Sequence, residues 1–148
     1  MDNDKVISVL NTLIETCKDG EYGFSAAADG LTDTQTRALF SQFSQQRGEM
    51  ARALQAEVRR LGGNPEKAGS VSGSAHRGWI NIKSAVTGKD DAAIIAEAER
   101  GEDSAKKAFE DALKEPVPMP TRALITELSA KVHTVHDRVR SLEKTTAR

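Results

Sequence analysis

The spacing of apolar residues constrains this chain more than any other feature. Apolar side chains recur at steps of three and four residues through most of the sequence, as in the series Val6, Leu10, Leu13, Ile14, Cys17. Steps of this size place side chains along one face of an α-helix, whereas a strand requires a period of two. The sequence therefore predicts an all-α chain, with helices at about residues 4–28, 33–61, 74–87, 90–114 and 121–144.

Glycines and prolines mark the ends of these predicted helices. Gly30 follows the first, and we expect it to take the left-handed conformation that ends many helices. The run Gly-Gly-Asn-Pro at 62–65 ends the second, and Gly88 ends the third. Three prolines between residues 116 and 120 forbid helix and form a stiff turn before the fifth.

The lengths of the connections predict the topology. The turn near Gly30 is short, so the first two helices must lie antiparallel. The middle connection at 62–89 is far longer than the roughly 2–8 residues usual between neighbouring bundle helices. The second and fourth helices are then either antiparallel neighbours or parallel, with the connection crossing the bundle. The length favours the crossover, so we predict one domain of residues 1–148, a ferritin-like antiparallel four-helix bundle with a short extra helix in its crossover.

Composition argues against several classes of function. The net charge is −1, from 21 basic and 22 acidic residues, so no overall field attracts nucleic acid. No apolar run approaches the roughly 20 residues that span a bilayer, and the N-terminus shows no secretory signal. Cys17 is the only cysteine, which excludes an intrachain disulfide and suits a reducing compartment. We expect a cytoplasmic protein that neither enters membranes nor binds nucleic acid, with a homodimer or a protein partner as its assembly.

Acidic and histidine residues interrupt the apolar stripes, and this pattern predicts a metal site. Glu21 lies on the stripe of the first helix, Glu99 and Glu102 on or beside that of the fourth, and His133 and His136 on the fifth. Counting from the proline turn puts Glu99 and Glu102 at the height of His133 and His136. Carboxylates and imidazoles projecting inward from facing helices bind zinc, manganese or iron.

The second helix weakens this prediction. It has no histidine, and counting from its turn puts Gln42 level with Glu21, leaving Glu49 as its only further candidate ligand. An alternative to a metal site is a salt-bridge network, in which Arg138 and Arg140 pair with the carboxylates of the fourth helix.

Two further groups of residues each allow two interpretations. Trp79, in the run His-Arg-Gly-Trp at 76–79, either forms a contact surface or anchors the crossover, and anchoring is favoured. Arg47, Arg52, Arg59 and Arg60 either form an anion-binding patch or belong to a solvated face of mixed charge, and the solvated face is favoured.

Four segments of the sequence carry a resemblance to a known family: 19–24 (Asp-Gly-Glu-Tyr-Gly-Phe), 76–79 (His-Arg-Gly-Trp), 99–103 (Glu-Arg-Gly-Glu-Asp) and 136–139 (His-Asp-Arg-Val). In these segments the chain resembles the DUF2383 group of bacterial four-helix-bundle proteins, within the ferritin-like superfamily. The resemblance implies a ferritin-like bundle and a bacterial source. It implies no activity, because the group has no settled one.

The di-iron carboxylate proteins of the wider superfamily imply a ligand set that this chain matches in part. Glu21, Glu102 and His136 would match three ligands, but His133 stands where a glutamate is expected, and Gln46-x-x-Glu49 replaces Glu-x-x-His. We therefore expect a non-catalytic bundle, or a degenerate site that binds at most one divalent iron, zinc or manganese ion. The alternative is a di-iron oxidase or peroxidase with an unusual ligand set.

Overall fold

The computed structural model describes residues 1–65 and 78–146, which form five α-helices and no strand within those ranges. This confirms the all-α prediction. The helices are α1 (Asn3–Gly30), α2 (Thr34–Arg60), α3 (Ile82–Thr87), α4 (Asp91–Leu113) and α5 (Thr121–Thr146). No helix of the described ranges is both long and apolar enough to cross a membrane.

Aspartates begin three of these helices. The carboxylates of Asp2, Asp33 and Asp90 accept hydrogen bonds from backbone N–H groups of the first turns of α1, α2 and α4. Such caps satisfy donors that would otherwise lack a partner within the helix. At the other end of α2, Gly62 takes the left-handed conformation, with φ of +86°, which confirms the predicted stop.

The expectation for Gly30 is wrong. It is the last helical residue of α1, and the chain leaves the helix through the extended backbone of Leu31. The glycine is required by packing instead, because a Cβ there would lie 2.6 Å from the Cβ of Val86 in α3. The close approach of α1 and α3 therefore explains this glycine.

The short helix α3 begins later than predicted. Residues 78–81 form a turn, helix begins at Ile82, and residues 74–77 lie outside the described residues. Gly78 has φ of +74° and packs against the backbone of α4, where an added Cβ would lie 2.7 Å from the carbonyl oxygen of Arg100. The helical period of the sequence does not reveal a backbone contact of this kind.

Hydrogen bonds between helix ends establish the crossover topology. Asp91, at the start of α4, accepts hydrogen bonds from the backbone N–H groups of Thr32 and Asp33, at 2.9 and 3.0 Å, beside the end of α1. The helix α4 is therefore antiparallel to α1 and parallel to α2, which confirms the crossover. At the opposite end, the Thr121 hydroxyl donates to Glu57 at 2.5 Å and ties the start of α5 to the end of α2.

The core consists of two apolar clusters separated by a polar layer. One cluster contains the first half of α1 and the second halves of α2 and α4. The other contains the aromatic residues Phe24, Phe40 and Trp79, the start of α4 and the end of α5. Between them, near the middle of the bundle, lie the buried Arg47 and Glu102. This polar layer is where a site within the bundle would lie.

Candidate functional site

A buried ion pair occupies the polar layer. The Arg47 guanidinium donates from Nη2 to Oε2 of Glu102 at 2.5 Å, and the two side chains are 1% and 0% exposed. The pair joins α2 to α4, two helices that lie diagonally across the bundle. A charge-assisted hydrogen bond of this kind is strong, and when both side chains are removed from bulk solvent each charge depends on the other.

Two residues of α1 make room for the guanidinium. An added Cβ at Gly20 would lie 2.9 Å from Nη1 and 3.3 Å from Cγ of Arg47, so the arginine packs directly on the helix backbone. One turn further, the Phe24 ring centroid lies 5.5 Å from the guanidinium carbon, within the range of a cation–π contact. The Gly20 and Phe24 positions therefore shape a socket for Arg47.

The charges in this layer act on one another. Burial lowers the pKa of Arg47, but the charge and hydrogen bond of Glu102 outweigh it and raise the pKa above its ordinary value. Burial also raises the pKa of the Cys17 thiol to about 12, opposed in part by Arg47. Cys17 is fully buried, as its place on the stripe predicts, and its thiol is protonated at neutral pH. A protonated buried thiol is a poor nucleophile and a poor metal ligand.

The structure corrects the prediction for Arg47, which is not part of a solvated face. It lies seven residues after Phe40 and seven before Leu54, so all three share the buried stripe of α2. This heptad position was the signal in the sequence, obscured by the other charges around it. Arg52, Arg59 and Arg60 are exposed, as predicted.

The predicted ligands on α1 and α2 do not share a site with Glu102. Glu21 is half-buried and packs against α2. An added Cβ at Gly48 of α2 would lie 2.5 Å from Oε2 of Glu21. Glu49, the residue after Gly48, is exposed. The structure therefore brings Glu21 near the polar layer while Glu102 is engaged by Arg47.

The predicted ligands on α4 and α5 are divided among separate pairs. His136 is buried, and its Nε2 lies 2.6 Å from Oδ1 of Asp103. His133 is 38% exposed, with its Nε2 3.5 Å from Oε2 of Glu110. Neither histidine pairs with Glu99 or Glu102. The register of α4 and α5 therefore differs from the predicted one, which placed these four residues at a common height.

Glu99 belongs to an acidic pair on the same seam. Its hydrogen bond with Glu143 is the largest cause that raises its pKa, followed by burial and by the negative charges of Glu143 and Asp103. The positive charge of Arg140 opposes this rise in the pKa of Glu99. The interaction with Glu143 therefore holds Glu99 in a contact within the protein.

The dinuclear metal centre implied by the superfamily does not fit these residues. No group of three or more His, Cys, Asp or Glu side chains is placed to hold a metal ion in the described parts of the chain. The buried guanidinium of Arg47 already neutralises Glu102, and it would repel a second cation beside it. The polar layer therefore has the charge balance of an ion pair rather than that of an open ligand set.

Trp79 anchors the crossover, as predicted. Its indole is 2% exposed and lies against Gly23 of α1 and Gly101 of α4, where an added Cβ would come within 2.2 Å of the ring in each case. It also meets Phe24 edge to face, with ring centroids 4.9 Å apart. The indole therefore cannot form a contact surface for a partner. His76 and Arg77 lie outside the described residues.

Glu97 is a buried residue that the apolar pattern did not single out. It is 0% exposed, and its Oε2 accepts a hydrogen bond from the backbone N–H of Asn81 at 2.7 Å, while its Oε1 pairs with Arg100. Its position three residues after Ile94 on the stripe of α4 was the available signal. The carboxylate fixes the turn before α3, so its role is structural.

Comparisons with known proteins agree with this architecture. The fold is similar to that of a two-domain protein from Anabaena variabilis ATCC 29413 that contains DJ-1/ThiJ/PfpI-like and ferritin-like domains, with a TM-score of 0.83 at 18% identity. The match covers 98% of this chain and 40% of that one, so this chain spans less than half of that protein. The ferritin-like fold is thereby confirmed.

The sequence comparisons give one family. Curated protein sequences provide no match. A family model described as a domain of unknown function, DUF2383, matches residues 5–115, about three quarters of the chain. Its range includes Gly20, Gly23 and Gly101, whose missing side chains make room for Arg47 and Trp79. The chain therefore belongs to the DUF2383 family and has a ferritin-like fold.

Proposed function

We propose that this protein is a non-catalytic ferritin-like bundle whose internal cation is the guanidinium of Arg47 rather than a metal centre. The observation that supports the proposal most directly is the ion pair between Arg47 and Glu102, with both side chains almost fully removed from solvent. On this proposal the protein acts through its surface, and the polar layer maintains the fold.

Charge balance is the physical argument. A carboxylate within a bundle binds a metal strongly when its negative charge has no other partner. Glu102 has Arg47 as its partner, and like charges at short range in a medium of low dielectric repel strongly. A divalent ion could enter only if the guanidinium moved away from Glu102, and its packing against Gly20 opposes that movement.

The predicted binding of a single metal ion sets the upper limit for the number of ions per chain in this proposal. Its ligand set was Glu99, Glu102, His133 and His136, and these residues make contacts with four different partners. Binding one ion would require those contacts to break and the side chains to converge. We therefore propose that binding is zero in the resting protein and at most one divalent ion per chain.

The test is metal content measured by mass spectrometry on untagged protein from cells grown with iron, zinc and manganese. We expect less than stoichiometric metal, unchanged in His136→Ala and Glu21→Gln, and no consumption of oxygen or peroxide after incubation with ferrous iron. Two irons per chain that are lost in both variants would overturn the proposal in favour of a di-iron oxidase or peroxidase.

The surface role carries its own proposal, a homodimer or a complex with a protein partner in the bacterial cytoplasm. The unpaired thiol of Cys17 supports the location, because it suits a reducing compartment. Light scattering coupled to size-exclusion chromatography, over a range of concentrations, tests the homodimer. A mass of two chains supports it, whereas one chain at every concentration contradicts it.

A further inference from the structure

The ion pair at mid-bundle uses only part of its hydrogen-bonding capacity. The bond joins Nη2 of Arg47 to Oε2 of Glu102. The remaining atoms Nε of Arg47 and Oε1 of Glu102 are buried, and neither has a hydrogen-bond partner among the described residues. Buried polar atoms in folded proteins almost always have a protein or water partner, so two such atoms in one pair require an explanation.

The chemistry of the two atoms restricts what can bind between them. Nε of a guanidinium only donates a hydrogen bond, and a carboxylate oxygen only accepts one. A metal or ammonium ion would satisfy Oε1 of Glu102, but neither can accept a hydrogen bond from Nε of Arg47. A halide would accept from Nε and cannot donate to Oε1. A neutral molecule that both accepts and donates satisfies both atoms, and complete burial restricts it to a small one.

The packing of Arg47 argues against direct closure of the pair. An arginine and a carboxylate often form two parallel hydrogen bonds, which would join Nε to Oε1. Here the arginine stem and Nη1 press on the backbone at Gly20, and the guanidinium lies over the Phe24 ring. These contacts hold the guanidinium in a position in which Nε makes no hydrogen bond with Oε1 of Glu102.

We propose that the pair holds one internal water molecule, which accepts a hydrogen bond from Nε of Arg47 and donates one to Oε1 of Glu102. The water, the guanidinium and the carboxylate then form a closed network in which these two buried atoms gain partners. A water between the two side chains is compatible with a catalytic or a non-catalytic bundle, so its presence does not depend on the proposed function.

The test is a crystal structure of the wild-type protein at a resolution that places ordered waters. We expect one water at hydrogen-bond distance, about 2.7–3.2 Å, from both Nε of Arg47 and Oε1 of Glu102. A direct bond between these two atoms with no water would overturn the inference. Density for a metal or halide ion in that position would overturn it as well.

A solution measurement accompanies the crystal structure. Magnetic relaxation dispersion of water nuclei counts water molecules with long residence times inside the protein. We expect the double variant Arg47→Met/Glu102→Leu to lose one such water relative to the wild type. An Arg60→Met variant, which alters an exposed arginine, is the matched control and should keep it. An equal count in the double variant and the wild type would contradict the inference.

Discussion

Removing the guanidinium of Arg47 should destabilise the protein severely, and removing its partner as well should restore most of the loss. In Arg47→Met an unbranched apolar side chain takes the place of the arginine stem, while Glu102 keeps its charge and loses its hydrogen bond. Glu102 is 0% exposed, so bulk solvent cannot hydrate the carboxylate that has lost its partner. The variant tests whether the pair is the internal charge balance of the bundle.

The magnitude follows from the burial of both partners. Removing one member of a buried ion pair costs about 3–5 kcal/mol, because an uncompensated charge remains in the interior. Small domains have a total stability of about 5–15 kcal/mol, so this loss would be a large fraction of it. At about 2–4 °C per kcal/mol for a chain of this size, we expect the melting temperature to fall by roughly 10 °C.

The double variant Arg47→Met/Glu102→Leu separates charge from packing. With both charges absent no carboxylate is left unpaired, and apolar replacement of a buried pair is often neutral or stabilising. Urea unfolding followed by far-UV circular dichroism gives the free energy of unfolding of each variant. The exposed pair of Arg60 and Glu57 provides the control, since Arg60→Met should change stability little. A loss below about 1 kcal/mol in Arg47→Met, or a double variant less stable than the single one, would refute the reasoning.

Three other predictions concern contacts outside this pair. Gly101→Ala would place a Cβ 2.2 Å from the indole of Trp79. We expect the free energy of unfolding, measured in urea, to fall by about 1–3 kcal/mol and the tryptophan emission to shift to the red. Unchanged stability and emission would contradict this prediction. The raised pKa of Glu99 means that its contribution to stability is present at acid pH and lost as pH rises through the folded-state pKa. The stability of Glu99→Gln should therefore decrease less than that of the wild type as pH rises, and its melting temperature at neutral pH should be higher. A lower melting temperature would show that the charge repulsion with Glu143 is unimportant. Asp91→Ala removes the acceptor for the backbone N–H groups just before α2. The free energy of unfolding, measured by chemical denaturation, should fall by about 1 kcal/mol, and by less in Asp91→Asn. No change in either variant would indicate that water replaces the carboxylate.

The sequence predicted the helices and the crossover because both depend on local and global spacing. The period of the apolar residues, the capping aspartates and the length of the middle connection can each be read directly from the sequence. The start of α3 was missed by several residues because it depends on the contact of Gly78 with the backbone of α4, a tertiary contact with no periodic signal. Gly30 was misinterpreted for the same reason, since its neighbour Val86 is distant in the chain.

The candidate site was predicted less well because side-chain partners depend on register. Counting residues from the turn between two helices fixes their relative register only to within a few residues. An error of one helical turn changes every side-chain pairing between the two helices. His136 accordingly meets Asp103, the residue next to the predicted Glu102. Glu21 and Glu102 nevertheless both lie in or beside the polar layer. Arg47 was missed because its charge was weighed above its position on the stripe.

The placement of Trp79 has a consequence for the cooperativity of folding. The indole lies against both α1 and α4, so a single side chain contributes to the packing of both helical hairpins. Neither hairpin can separate from the other without exposing a large aromatic surface to water, and that cost is shared by both. The crossover therefore couples the two halves of the bundle through one buried side chain. The glycines at 23 and 101 thus favour one all-or-none transition for the bundle over stepwise loss of its parts.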